Sequence, residues 1–419
     1  MTELSADARW LATSQARWFA GKGRKGVPLS ITALDWIVEP SQAGLGVRPE
    51  VLTIGYPDGG HERYQLLWAY RDGDAFDALT SPDAVRALVK ALLNTAQHAN
   101  TWVFELLRPD LFVEPRVIKV FTGEQSNTNV MLDDRAVLKI FRRLELGASA
   151  DIELHRALNV CGVKQVVPLI GWLSAQLPTA EGFERSDLAM VTRFIPGAAD
   201  GWETATVAAG SGIDFTAEAA ALGEALSAVH AGLRDSFPSG RRSTADLVSG
   251  MTARLRAACA SVPGLAPFAS AIESRYQQLG ESAVQVQRIH GDFHLGQTLL
   301  SPAGWYIIDF EGEPLVPLVD RVRPDSVWRD VAGMLRSIDY AAASAGMGES
   351  TASAWVQATS AAFKQGYQPE GFAAAQSQLL DAYVLDKAVY ETVYETRNRP
   401  DWVGIPLRGI ESIINEKKE

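Results

Sequence analysis

Between Tyr64 and Tyr70 large side chains recur at every second position, Tyr64, Leu66, Trp68 and Tyr70. A period of two predicts a half-buried antiparallel strand. Segments near 30–39 and 48–56 alternate similarly and are set off by Gly, Pro and Asp, so three strands are expected before residue 71. At Ser81–His98 the period becomes helical, with Val85, Leu88, Val89 and Leu92 on one face. A short helical pattern around Trp10 and the aromatic string Ala16–Lys22 (ARWFAGK) come first. Residues 1–98 thus read as a compact α+β unit in which no chemistry is visible.

Residues 99–198 read as strands with one helix inserted. Val117–Phe121 and Val130–Leu132 flank a polar turn, Ala136–Phe141 (AVLKIF) is a further strand, and Ala150–Leu158 is the helix. Val166–Trp172 and Leu188–Phe194 complete the set before Pro196–Gly197 breaks the pattern. From 199 onward helices dominate. Ala217–Gly232 is amphipathic through Leu222, Leu226 and Val229, a hairpin interrupts at 297–309, and helices resume at Trp328. The expected organisation is 1–98, 99–198 and 199–419, as befits 419 residues, too many for one ordinary core.

Composition narrows the class. With 47% hydrophobic and 21% charged residues the profile is globular, and no apolar run approaches the roughly 20 residues that span a bilayer. The acidic start MTELSADARW lacks the apolar core of a signal peptide, so a cytoplasmic enzyme is expected. A net charge of −11 argues against a nucleic-acid partner, although a local basic cluster could still hold a nucleotide. Cys161 and Cys259 sit in apolar helical contexts and read as buried small hydrophobes. No histidine shows zinc-site spacing, except the pair His290 and His294, which belongs to a different pattern.

That pattern is Ile289–Leu300, IHGDFHLGQTLL, followed by a turn and by Trp305–Glu311, WYIIDFE. In kinase-like phosphotransferases an aspartate orients and deprotonates the acceptor hydroxyl, an amide five residues on holds Mg²⁺, and a second aspartate beyond a hairpin completes the metal site. Asp292, Gln297 and Asp309 fall at these spacings, with Gln297 where Asn is usual. Hard oxygen ligands suit Mg²⁺. An isolated HxD triplet or strand-end Asp would mean little; their joint occurrence with the hairpin carries the reading. His290 is expected to buttress the loop, His294 to be packed, and Asp330 to N-cap the next helix and tie it to the loop.

The strings HGDFHLGQ, IIDFEGEP and Arg329–Ala341 (RDVAGMLRSIDYA) resemble actinobacterial maltokinases of the aminoglycoside-phosphotransferase-like kinase superfamily. ARWFAGK and DKAVYETVYETRNRPDWVGIPL extend the resemblance to both ends. It implies an α+β, bilobal, eukaryotic-protein-kinase-like fold with an additional N-terminal α+β cap domain, an intermediate nucleotide-binding lobe and a helical C-lobe. It also implies ATP and Mg²⁺ as cofactors and transfer of the γ-phosphate to the anomeric hydroxyl of maltose. The maltose 1-phosphate so formed feeds α-glucan synthesis. Association with a trehalose synthase-type enzyme, to which some members are fused, is implied as well.

Lys139, inside AVLKIF, needs a counter-charge, and Glu153 on the next helix is the expected partner, as in kinases. An edge-strand lysine facing solvent is the alternative. The turn Gln125, Ser126, Asn127, Thr128 stands where a phosphate-covering loop would, without its glycines. Met190–Ile195, including Arg193, is the expected adenine hinge. Lys387, Tyr390, Glu391, Tyr394 and Glu395 recur at helical spacing on one face, a cation, carboxylates and rings suited to a sugar. An ordinary Lys387–Glu391 surface pair beside core tyrosines is the alternative. Arg397, Trp402 and Arg408 are candidates for distal contacts, and Trp18–Lys22 either gates the cleft or determines the cap's folding. Two other functions stay open: a kinase for glucosamine or an aminoglycoside, which Lys387 disfavours, and a nucleotide-binding pseudokinase or scaffold.

Overall fold

The structure, a computed structural model, describes residues 6–40, 44–94, 101–121, 126–313, 316 and 318–415. It divides into two compact units, 1–156 with 167–196, and 157–166 with 197–419. The expected break at residue 98 falls inside the first.

In the first unit, strands Val27–Ala33, Gly46–Gly55, His61–Arg71 and Asp74–Asp77 form an antiparallel meander, and Arg143–Leu144 adds to the third. The first strand ends before the expected residue 39, and the chain rejoins the sheet at a single Val38–Val47 bridge. The third strand is not half-buried. One face packs Leu67 and Ala69 under helix Pro82–Leu93. The other packs Tyr64, Leu66, Trp68 and Tyr70 under Phe19 and Trp18 of the N-terminal string. The covering of both faces explains why strict polar alternation is missing from this strand.

A six-stranded sheet follows, in the order Trp102–Leu106, Leu169–Thr179, Gly182–Arg193, Ala136–Ile140, Thr128–Leu132, Ile118–Val120. Leu169–Thr179 and Gly182–Arg193 make one long hairpin, several residues longer than expected, with Leu173, Ala175 and Leu177 of the added length buried and Phe183 and Glu184 at the tip exposed.

The second unit is helical around a small sheet of Ala199–Asp200, Thr298–Ser301 and Gly304–Ile307. Its principal helices include Thr216–Ser236, Thr244–Ser261, Trp328–Ser344, Glu349–Tyr367 and Ala374–Asn398. Among the described residues no helix is long and apolar enough to cross a membrane. The cysteines differ from expectation: Cys161 is exposed and Cys259 half-buried. Cys161 follows the last residue of helix Ala150–Val160, so no helical period buries it. Cys259 lies one residue past the buried stripe Leu247, Met251, Leu255, Ala258 and so is turned off it by about 100°.

Candidate active site

The Asp292 loop is held from below. His290, Phe293 and Leu295 are buried, while Asp292 between them stays partly open, its side chain 19% exposed. Helix Trp328–Ser344 presents Asp330, Gly333 and Ser337 at i, i+3 and i+7, hence on one face. Asp330 accepts the backbone N–H groups of His290 (2.8 Å) and Gly291 (2.9 Å), and Ser337 Oγ accepts that of Leu295 (3.1 Å). A Cβ at Gly333 would stand 2.5 Å from the Phe293 carbonyl oxygen, so only glycine lets helix and loop approach this closely. Asp330 lies in the helix's first turn, but its side chain serves the loop rather than the helix's own amides, which corrects its expected N-cap role. The helix's first N–H groups have other acceptors, Trp328 on Ser326 Oγ (3.4 Å) and Arg329 on the Ser326 carbonyl (3.0 Å).

Asp330 also accepts from His230 Nε2 (3.0 Å), whose Nδ1 meets the Tyr367 hydroxyl (2.9 Å). Burial alone would raise the Asp330 pKa, but the His230 hydrogen bond, its charge and the loop amides together hold it below the usual carboxylate range. His290 donates from Nε2 to the Ile308 carbonyl (3.0 Å), since a carbonyl can only accept, leaving Nδ1 to face the Asp292 N–H (3.4 Å). His290 therefore joins the loop to the far strand of the hairpin. His294 caps the short helix Leu295–Gln297, accepting from the Gly296 N–H (3.1 Å). Burial, outweighing the attraction of Asp292, lowers its pKa, so it is neutral at pH 7.

The hairpin pairs Thr298 with Ile307, and the Ile308 N–H donates to the Gln297 carbonyl (3.0 Å), carrying the ladder one residue further. Asp309 follows with φ 64°, a left-handed conformation that a non-glycine residue adopts at a cost of about 1–2 kcal/mol. Strain of this kind clusters where a side chain must be aimed. A carboxylate and an amide oxygen on the two ends of one hydrogen-bonded hairpin form a hard donor set, which fits a divalent cation such as Mg²⁺.

On helix Ala374–Asn398 the expected sugar face is split. At about 100° per residue, Tyr390 and Tyr394 fall to one side of Lys387, Glu391 and Glu395 to the other. Lys387 Nζ lies 3.7 Å from Asp292 Oδ1 and 5.1 Å from the Tyr390 ring centre. Tyr390 is hydrogen-bonded to Glu313, and burial together with that carboxylate raises its pKa. Glu313 in turn pairs with Arg329 (2.9 Å). Tyr394 is exposed. Glu391 is half-buried against Arg336 (2.8 Å), which also holds Asp339 (2.6 Å), and Glu395 pairs with Arg399 (2.6 Å). Burial raises the Glu391 pKa against the opposing pull of Arg336. The sequence reading missed Arg336. Its signal was there, since Arg336 lies on the helix that carries Asp330, where an isolated buried cation would be costly. Of the distal candidates, Trp402 stacks on Tyr340 at 6.3 Å, and Arg397 and Arg408 are exposed.

In the first unit, strand Ala136–Ile140 turns Lys139 away from its buried side, and Nζ meets Asp151 Oδ2 at 2.7 Å. The expected pairing with Glu153 is corrected. Asp151, Leu154 and His155 share the inner face of their helix, and Glu153, two residues from Asp151, is turned outward. Burial would raise the Asp151 pKa, but Lys139 and His155 (2.9 Å) bring it well below the carboxylate range. Gln125 lies outside the described residues; Ser126 is exposed and Asn127 buried. Met190 is buried in the ladder opposite Lys139. The Arg193 and Phe194 N–H groups are bonded to the carbonyls of Pro168 (2.9 Å) and Arg135 (2.8 Å), so in the segment expected as the hinge Ile195 is the residue whose backbone N–H has no partner among the described residues.

An aspartate on a braced loop, followed by an aspartate of left-handed backbone beyond a hairpin, is the arrangement expected of a phosphotransferase of the kinase-like class. The chain belongs to the phosphotransferase enzyme family (APH), whose model matches residues 117–374. It is similar to the glucosamine kinase of Streptacidiphilus jiangxiensis, 28% identical over 345 residues covering 72% of this chain and 77% of that one. The glucosamine kinase of Mycolicibacterium smegmatis is 26% identical over 83% of this chain and 92% of its own. A solved glucosamine kinase in complex with glucosamine, ADP and inorganic phosphate matches with TM-score 0.68 at 22% identity, over 99% of this chain and 100% of that one. Another, in crystal form B, reaches 0.70 at 23% identity, over 96% and 99%. These likenesses establish the fold as mixed α and β, bilobal and kinase-like.

Proposed function

We propose that the chain is an ATP- and Mg²⁺-dependent sugar kinase whose acceptor is maltose, phosphorylated at the anomeric hydroxyl. Residues 1–98 are the cap, 99–198 the nucleotide-binding part and 199–419 the catalytic and acceptor part. Asp292 accepts the hydroxyl proton as the oxygen attacks the γ-phosphorus, and ADP leaves. Lys139, fixed by Asp151, contacts the nucleotide phosphates, with Ser126 near them. The hinge 190–195 offers backbone groups to adenine, with Ile195 the free one. Gln297 and Asp309 would hold Mg²⁺, which when bound neutralises charge on the phosphate oxygens. Tyr390 and Tyr394 offer ring faces to the sugar, and Lys387 a donor. Glu391, committed to Arg336, positions Lys387 rather than the sugar.

The observation that carries the acceptor reading is Lys387 Nζ at 3.7 Å from Asp292. An acceptor's own ammonium would meet a like charge there. The nearby carboxylates Glu313, Glu391 and Glu395 already have arginine partners. A neutral sugar suits this surface. The glucosamine kinase relatives favour a second reading, glucosamine as acceptor. A panel of maltose, glucose and glucosamine with ATP and Mg²⁺ separates the two. We expect kcat/KM for maltose to exceed that for glucosamine by at least about tenfold, the worth of one charged hydrogen bond. A preference for glucosamine would move the substrate and leave the kinase chemistry in place.

A further inference from the structure

Arg142 has no role in the chemistry above, yet it is 2% exposed and makes bonds in several directions. Its Nε donates to Thr128 Oγ1 (2.8 Å) and its Nη2 to Asp77 Oδ2 (2.7 Å). Its backbone N–H donates to Asn127 Oδ1 (3.3 Å), and its carbonyl accepts from the Gln65 N–H (2.7 Å). The guanidinium carbon stands 4.8 Å from the centre of the Trp18 ring, which itself leans on Tyr64 at 6.0 Å. Asp77 is fixed too, its Oδ1 capping the Leu79 N–H (2.9 Å).

Two of these partners, Asn127 and Thr128, end the turn that leads into strand Thr128–Leu132. The others, Trp18, Asp77 and Gln65, belong to the cap. A planar guanidinium with several directed donors fixes orientation, which a single ammonium cannot. We propose that Arg142 is a positioning residue for the nucleotide: stacked under Trp18 and anchored on Asp77, it sets the phosphate-side turn at Asn127–Thr128, so the cap tunes ATP affinity. This rests on the reading of that turn as the nucleotide's phosphate side. It also gives the string ARWFAGK a task, because Trp18 supplies the lid of the brace.

Arg142→Lys keeps the charge and loses the fork; Thr128→Val removes only the accepting oxygen. Trp18→Ala removes the ring, and Trp18→Phe retains one. Steady-state kinetics on the full chain, with ATP binding measured by calorimetry, test the proposal. Arg142→Lys, Thr128→Val and Trp18→Ala should raise KM and Kd for ATP by about 3–30-fold, within the range for one lost polar contact. The turnover at saturating ATP and the sugar KM should stay within about twofold, and Trp18→Phe should restore most of the ATP affinity. A role in folding alone would lower the active fraction, and so the apparent turnover, at unchanged KM; that pattern overturns the proposal. Thr128→Val decides the matter if the arginine variant does not fold. If the unaltered protein binds no ATP, the kinase reading falls as well; if it binds and turns over ATP while the variants keep its KM, the positioning role alone falls.

Discussion

Asp292→Asn should fold and bind ATP as the parent does, and lose about 10²–10⁴-fold in turnover, the range that general-base help contributes. Asn preserves the shape and one oxygen but cannot take the proton. The fold should tolerate it, because the side chain is partly open and its recorded ion pair, to Lys387 at 3.7 Å, is long. Partly exposed pairs of this kind are worth about 0–1 kcal/mol. The buried loop residues His290, Phe293 and Leu295 are untouched by the change. Single-turnover rates at saturating ATP check the result, and a rate within about threefold of the parent's would remove Asp292 from the mechanism.

Asp330→Ala should have the largest effect on stability of any change near the site. The carboxylate is 1% exposed and serves three donors: His230 Nε2 and the His290 and Gly291 N–H groups. Each buried donor left without an acceptor costs about 1–3 kcal/mol, so a loss of about 3–5 kcal/mol is expected. The damage should begin at the loop, with faster hydrogen exchange at the His290 and Gly291 amides. Asp330→Asn, which keeps one accepting oxygen, should lose less. The Asp330 pKa is depressed on folding, so its stabilisation is present above the unfolded value of about 3.9 and lost as pH falls towards the folded one. The gap between parent and Asp330→Asn should therefore be full at pH 6–7 and close below about pH 4. Chemical denaturation across that range measures it, and a gap independent of pH would mean that the charge contributes nothing.

The two replacements differ in how far the sequence foretold them. The hairpin between Asp292 and Asp309 was legible because its signals are local: loop, hairpin and second aspartate lie within about twenty residues of chain. Asp330 was legible as a link to the loop but not in its manner, since the carboxylate's partners lie 39 and 40 residues away. The Lys139 partner was placed one turn-face wrong. A kinase-like lysine calls for a helix acid, and both Asp151 and Glu153 qualify until the buried positions Leu154 and His155 fix which face is inward. The late helix shows the same limit. Helical spacing put Lys387, Tyr390, Glu391, Tyr394 and Glu395 on one face, but an arc that wide has two edges, and only the pairing with Arg336 shows that Glu391 lies on the inner one. In the first unit, burial of the third strand on both faces depends on the N-terminal string folding back across it. No window around residues 64–70 could reveal that.

The most direct test of the whole account is the fate of the γ-phosphate. Full-length protein, Mg²⁺, ATP and maltose should yield ADP and a phosphorylated disaccharide in equal amounts. Phosphorus NMR should show the phosphate coupled to the anomeric proton, and Asp292→Asn should leave ATP and sugar unchanged. Release of the γ-phosphate as inorganic phosphate alone, with no sugar phosphate formed from maltose or any other sugar supplied, would contradict the account.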